Sequence, residues 1–178
     1  AIGYISYEAV RQWEKHLKPK ARDPFCHPDI LFGFYDTFAI IDHRAQLAYL
    51  ITLNLTADSQ KKFDQFKSRF SGPSKKFKEG VARSTVLSNL SQADYETMVS
   101  KAKHYIDIGD IYQVNLSQCF YTQTEQHPFT LYRRVRSLNP GHFSAYLHFD
   151  SLQILSSSPE RFLAIDRQGT IRTEPIKG

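Results

Sequence analysis

The stretch from Phe143 to Glu174 constrains this chain more than any other. Four runs rich in aromatic, aliphatic and β-branched residues, 143–149, 152–157, 161–166 and 170–174, follow one another with little between them. Asp150-Ser151 and Asp166-Arg167-Gln168-Gly169 are turn sequences. Connections this short cannot cross over to start a parallel neighbour, which takes about a dozen residues or more. Such short connections favour antiparallel over parallel neighbours.

The upstream sequence fits the same architecture. Tyr7, Val10, Trp13 and Leu17 recur at near-helical spacing and predict a short amphipathic helix over 6–17. A loop containing Pro19, Pro24 and Pro28 follows. Runs 31–41 and 46–55, joined by Asp42-His43-Arg44-Ala45, predict a hairpin buried on at least one face. Thr56 is expected to cap a helix through Phe70, with Phe63, Phe66 and Phe70 on one stripe and Ser71-Gly72-Pro73 as its end.

Residues 72–90 are a polar, Lys-rich connection. Ser91 then opens a stronger helix, with Asp94 in its first turn, an apolar face of Tyr95, Met98, Val99, Ala102, Tyr105 and Ile106, and Gly109 just past its end. A strand from Ile111 to Tyr121 and a helix from about Pro128 to Asn139-Pro140-Gly141 complete the pattern. Strands outnumber helices and turns are short, so the expected class is α+β, with mostly antiparallel sheets and flanking helices. The expected division is an N-terminal part, 1–90, and a second part, 91–178.

Composition narrows the class without naming a function. The 178 residues can bury a substantial core, and 41% hydrophobic with 23% charged residues is ordinary for a globular protein. No apolar run approaches the roughly 18–20 residues of a membrane-spanning helix, so no membrane partner is expected. Cys26 and Cys119 are far apart and match no metal or redox spacing, which makes the cytoplasm the default location. The net charge of +5 is concentrated in Lys15–Lys20 and Lys75-Lys76-Phe77-Lys78, two loop-like stretches. A positive cleft for an anionic metabolite accounts for such a balance as well as nucleic acid does, and no nucleic-acid partner is expected. No Gly-rich phosphate loop, no HxxxH or HxH histidine pair and no GxSxG turn is present, which leaves nucleotide, zinc and serine-hydrolase chemistry without support.

Three segments could carry chemistry. Gly109-Asp110-Ile111-Tyr112-Gln113-Val114-Asn115-Leu116-Ser117 alternates with a period of two and sets Gln113, Asn115 and Ser117 on one side. That side is either the wet face of a half-exposed strand or the lining of a polar ligand pocket. In Ser156-Ser157-Ser158-Pro159-Glu160-Arg161-Phe162, Glu160 is either a surface carboxylate paired with an arginine or, desolvated in a closed pocket, a proton donor to a leaving hydroxyl. In Glu174-Pro175-Ile176-Lys177-Gly178, Lys177 is either solvated or a nucleophile whose proton is shed through burial or a neighbouring cation.

In that order, the Gly109–Ser117 segment, Ser157-Ser158-Pro159-Glu160-Arg161-Phe162 and Pro175-Ile176-Lys177-Gly178 resemble three signatures of the chorismate-utilising enzymes. Gly3-Tyr4-Ile5-Ser6-Tyr7-Glu8 and Phe34-Tyr35-Asp36 resemble the region before the first signature, so the similarity spans the chain. The resemblance implies a partial copy of the family's β-sandwich fold. It also implies that the chain is an incomplete piece, truncated after Gly178 and inactive alone.

Within the family, isochorismate and salicylate synthases carry a water-activating lysine where this chain has Gln113, and anthranilate synthases carry alanine where it has Lys177. Phe143-Ser144-Ala145-Tyr146-Leu147 also looks more like the aminodeoxychorismate branch. That branch implies a transferase of folate and para-aminobenzoate synthesis, with Lys177 as nucleophile and Glu160 as acid. It implies chorismate as substrate, a glutamine amidotransferase partner as the source of ammonia, and Mg²⁺ held by glutamates beyond Gly178. Anthranilate synthase component I is the alternative enzyme, and a non-catalytic tryptophan- or partner-binding module is the alternative of another class. Many members bind tryptophan remotely. Asn139, Pro140 and Phe143 are the candidates here, although Gly141 and His142 depart from the anthranilate-branch pattern and argue against feedback.

Overall fold

The computed structural model describes residues 1–17, 25–74, 77 and 84–176. The chain divides into two compact units, Ala1–Lys75 and Lys76–Gly178. In the first unit, β1 (Ile2–Ile5) pairs antiparallel with β2 (Ile30–Gly33), Ile2 opposite Gly33 and Ile5 opposite Ile30. Between them lies a 3-10 helix, Tyr7–Gln12, where an α-helix over 6–17 was expected. Isolated helices this short depend on burying a stripe. Here Tyr7 and Trp13 are exposed and Ala9 alone is buried, so nothing drives the longer helix.

The expected strand 31–41 is likewise two strands with different partners. β2 ends at Gly33, and β3 (Thr37–Asp42) pairs with β4 (Leu47–Thr52), Thr37 opposite Thr52. The Tyr35 ring occupies the space a side chain at 33 would take: a Cβ there would lie 2.6 Å from the Tyr35 hydroxyl. The chain therefore bends over Gly33 before β3 begins. Asp42 closes the β3–β4 turn, its Oδ1 accepting from the Arg44 N–H at 2.9 Å and the Ala45 N–H at 2.8 Å, while Gln46 adopts φ +56°.

α1 (Ser59–Phe70) packs on this hairpin. Its N-cap is Asp58, not Thr56. Thr56 instead donates its hydroxyl to Asp58 Oδ1 at 2.6 Å and its N–H to the buried Ser59 Oγ at 3.0 Å. Lys62 Nζ lies 3.1 Å from Asp58 and 3.8 Å from Asp36, tying the first turn of the helix to the residue that precedes β3.

The second unit opens with β5 (Leu87–Ser88) and α2 (Gln92–Asp107). Ser91 caps α2 by accepting from the Asp94 N–H at 3.1 Å and donating to the Asp94 carboxylate at 2.6 Å. At the other end Gly109 takes φ +81°; its N–H reaches the Ile106 carbonyl and the Asp110 N–H reaches that of Tyr105, both bonds of a Schellman closure. No residue of α2 is buried.

The strand expected over 111–121 is reduced to β6 (Phe120–Tyr121), paired with β5. Alternation gives a run its two faces, but a strand also needs a ladder, and among the described residues 111–119 have no partner strand. Tyr112 is 98% exposed.

α3 (Pro128–Leu138) starts with proline in its first turn, and His127 Nδ1 accepts the Phe129 N–H at 3.1 Å. It packs on β8 and buries Thr130 and Tyr132, and the Phe129, Tyr132 and Tyr146 rings meet at 5.3–6.2 Å. β7 (Ala145–Phe149) pairs with β8 (Leu152–Ser156), and β9 (Arg161–Ile165) with β10 (Ile171–Glu174). Asp150, at φ +38°, and Gly169, at φ +83°, turn these two hairpins. The class is α+β with antiparallel pairs, as the turn spacing requires.

The α2 caps are separable. Gly109→Ala should cost about 1–2 kcal/mol through its left-handed backbone, and Ser91→Ala about 1 kcal/mol. Amide hydrogen exchange should then quicken at 109–111 in the first variant and near 94 in the second. Equal change at both ends in either variant would contradict local capping.

Candidate active site

Glu160 sits between β8 and β9, in a loop held by its own hydroxyls and by the turn after α3. Ser158 Oγ donates to the Glu160 carbonyl and accepts the Glu160 N–H, both at 3.3 Å. The Ser158 carbonyl accepts the Phe143 N–H at 3.0 Å, and Ser157 Oγ donates to the Asn139 carbonyl. Gly141 lies against Ser158 so closely that a Cβ would stand 2.8 Å from the Ser158 carbonyl carbon. The Gly141 carbonyl is taken by Ser144, through its N–H at 3.2 Å and its hydroxyl at 2.7 Å. Asn139 and Phe143 thus brace the Glu160 loop through backbone groups, with Pro140 and Gly141 forming the turn between them.

Beyond the loop, β9 and β10 pair with an irregular register. Ile171 faces Ile165 and Arg172 faces Ala164, but Glu174 faces Arg161. One strand advances by three residues while the other advances by two, so β9 carries a bulge at Phe162-Leu163. In an unbroken ladder Phe162 would face Glu174. The bulge brings Arg161 there instead, with its Nε donating to Glu174 Oε2 at 3.0 Å. The guanidinium also lies over the Phe143 ring, 4.7 Å from its centroid. Arg172 pairs with the other carboxylate oxygen of Glu174.

The Arg161 hydrogen bond, with Arg172 adding its charge, holds the Glu174 carboxyl below the usual carboxylate range. Its contribution is present above that range and is lost as pH falls through the lowered value.

Gln113, Asn115 and Ser117 are all exposed, in the stretch without a ladder. The structure does not join them to Glu160 by any hydrogen bond among the described residues. The segment is anchored at its end by Gln118, whose Nε2 donates to Ser88 Oγ at 2.7 Å. Glu160 is itself exposed, so the desolvation required of a proton donor does not come from its own loop. Lys177 lies outside the described residues. Among the described residues no group of three or more His, Cys, Asp and Glu could hold a metal ion, and no helix is long and apolar enough to cross a membrane. The sequence reading missed the Arg161–Glu174–Phe143 cluster. Its one legible sign was that Arg161 and Glu174 stand at the open end of the same expected hairpin.

Two outcomes follow from this geometry. Arg161→Ala should move the Glu174 carboxyl titration, followed by NMR, upward toward the ordinary glutamate value of about 4.3; an unmoved midpoint would contradict the ion pair. Gly141→Ala should push Ser158 away and speed exchange of the Phe143 amide, leaving the β9–β10 ladder protected. Unchanged Phe143 exchange would show that the turn does not brace the loop.

The family described as chorismate binding enzyme matches residues 1–178. Anthranilate synthase component 1 of Acetivibrio thermocellus is 31% identical over 194 aligned residues, covering 100% of this chain and 39% of that protein. Aminodeoxychorismate synthase component 1 of Salmonella typhimurium is 33% identical over 178 residues, again 100% of this chain and 37% of that protein. The chain therefore spans less than two-fifths of the length of these relatives. The crystal structure of anthranilate synthase component I from Streptococcus pneumoniae superposes with a TM-score of 0.79 at 24% identity, over 93% of this chain and 40% of that one, and so shares its fold. A whole-chain family match and the shared fold lead to one conclusion: the chain belongs to the chorismate binding enzyme family.

Proposed function

We propose that the full-length protein is component I of an aminodeoxychorismate synthase, aminating chorismate at C4 to 4-amino-4-deoxychorismate in the cytoplasm, for para-aminobenzoate and folate synthesis. The observation that carries this reading is the pair of residues at the branch-deciding positions, Gln113 and Lys177. A glutamine amide cannot take a proton from water, so addition of water lacks its base. A lysine amine offers what an alanine cannot, a covalent route that divides one difficult substitution into two.

In this reading the neutral Lys177 amine forms a bond to C2 of chorismate, the ring double bonds shift, and the C4–O bond breaks. Glu160 gives its proton to the departing hydroxyl, which leaves as water. Ammonia, supplied from glutamine by an amidotransferase partner, then bonds to C4. The double bonds shift back and the C2–N bond breaks with its electron pair returning to nitrogen, which regenerates the neutral Lys177 amine; the proton shed by the new C4 ammonium then restores the Glu160 acid.

Among the described residues no three ligating side chains gather at one place. In this reading Mg²⁺ would be held by glutamates beyond Gly178 and would clamp a substrate carboxylate, and no step above passes through it.

Anthranilate synthase is the second reading, favoured by relatives of that name at similar identity, such as those of Acetivibrio thermocellus and Aquifex aeolicus at 31%. The full-length protein, given chorismate, ammonia and Mg²⁺, should yield aminodeoxychorismate without pyruvate; anthranilate with pyruvate would establish the alternative. Glu160→Gln should lower kcat by about 10²–10⁴-fold. Lys177→Ala should abolish the covalent chorismate-derived adduct seen by mass spectrometry when ammonia is withheld. Undiminished turnover in Lys177→Ala would remove the nucleophile. Binding of tryptophan with no turnover of chorismate would point to the non-catalytic module.

A further inference from the structure

We propose that Arg161 is a positioning residue, which sets the Glu160 loop against the strand leading to Lys177. This rests on the reading of Glu160 and Lys177 given above. Arg161 follows Glu160 directly, and its bonded partner Glu174 stands three residues before Lys177. The third contact, the Phe143 ring, belongs to the turn whose backbone holds Ser158. A single guanidinium therefore joins the turn after α3, the loop that carries Glu160, and the end of β10.

Two features argue that this junction acts on geometry more than on stability. The Arg161 and Glu174 side chains are 32% and 36% exposed, and ion pairs in such surroundings contribute little to stability. The bulge, moreover, exchanges residues at this point: it sets Arg161 opposite Glu174 and leaves Phe162 84% exposed. Bulges re-aim side chains, and here the re-aimed one is next to the proposed acid. The chemistry of the group fits the task. A planar guanidinium can donate from Nε in its plane while its face rests on an aromatic ring; an ammonium cannot hold both contacts in one orientation.

A small displacement of Glu160 should be felt at the reacting bond, since a misplacement of about 1 Å can cost about 10²-fold in rate. The experiment compares Arg161→Ala, Arg161→Lys, Glu160→Gln and the double variant Arg161→Ala/Glu160→Gln in the full-length protein, measuring kcat and KM for chorismate with ammonia. Amide exchange of the same full-length variants is followed alongside. Expected are a kcat about 10²-fold lower in Arg161→Ala with KM within a few-fold, partial recovery in Arg161→Lys, and no further loss on adding Arg161→Ala to Glu160→Gln. Exchange should quicken at Ser158, Glu160 and Phe143 and stay unchanged at Ile165 and Ile171.

Full kcat in Arg161→Ala, or losses that simply multiply in the double variant, would overturn the positioning role while leaving Glu160 as acid. Uniformly faster exchange along β9 and β10 would overturn it in favour of a merely structural arginine. Full turnover in Glu160→Gln would remove the acid itself, and with it the group Arg161 is proposed to position.

Discussion

Every described strand in this chain finds its ladder in one partner, and that pairing is the constraint on which the other features depend. Five antiparallel pairs account for the ten strands among the described residues, and three of them close through tight turns. A two-stranded ribbon cannot bury both its faces, and alone it is marginal in water. Its register then has to come from the turn as much as from packing. The structure shows this at Asp42, whose carboxylate gathers two turn amides, and at Asp166, whose Oδ1 accepts from Gln168 and Thr170 at 2.9 Å each. Helices add layers where they can: α1 on β3–β4 and α3 on β8. An aromatic cluster with a buried member, around Tyr132, lies where a helix and a hairpin meet.

The same constraint explains how a loop without regular structure holds the candidate acid. Residues 157–160 have no ladder, so their polar groups are satisfied locally, by a neighbour or by water. Ser158 provides the local closure and the turn 139–143 provides the neighbour. The close approach needs a residue without a side chain at 141, because backbone lies against backbone there. An Asn-Pro-Gly sequence after a helix reads first as a stop signal. In three dimensions it is also one wall of the Glu160 loop.

What was legible in the sequence follows from what is local. Ser91 with Asp94, Gly109, Pro128 and the turn at Asp166–Gly169 each act within a few residues, and each does in the structure what its chemistry predicts. The misreadings share the opposite character. The period of two over 111–121 was real, but a ladder depends on a partner that periodicity cannot supply. The split of 31–41 depends on Tyr35 filling the space beside Gly33, and the partner of β2 is β1, far back in the sequence. Thr56 and Asp58 compete for one cap, and hydrogen bonds among Thr56, Asp58 and Ser59 decided it. The β9 bulge has no glycine to announce it. A charge pair one residue out of regular register is visible once the ladder is known.

For the site, this division between local and non-local matters chemically. Gln113 and Lys177 are informative as residue types, because an amide cannot act as a base and an amine can act as a nucleophile wherever the fold places them. Glu160 is informative only through its surroundings, since a carboxyl becomes a useful proton donor when water is removed from it. Its loop supplies orientation: two hydroxyl contacts, a backbone wall and the neighbouring guanidinium. It does not supply desolvation, because Glu160 is exposed. Orientation and desolvation are separate requirements, and they can come from separate parts of a protein. The contacts of the segment from Asn139 to Glu174 bear on the first, and the most specific of them, those of Arg161, are directional ones that contribute little to stability.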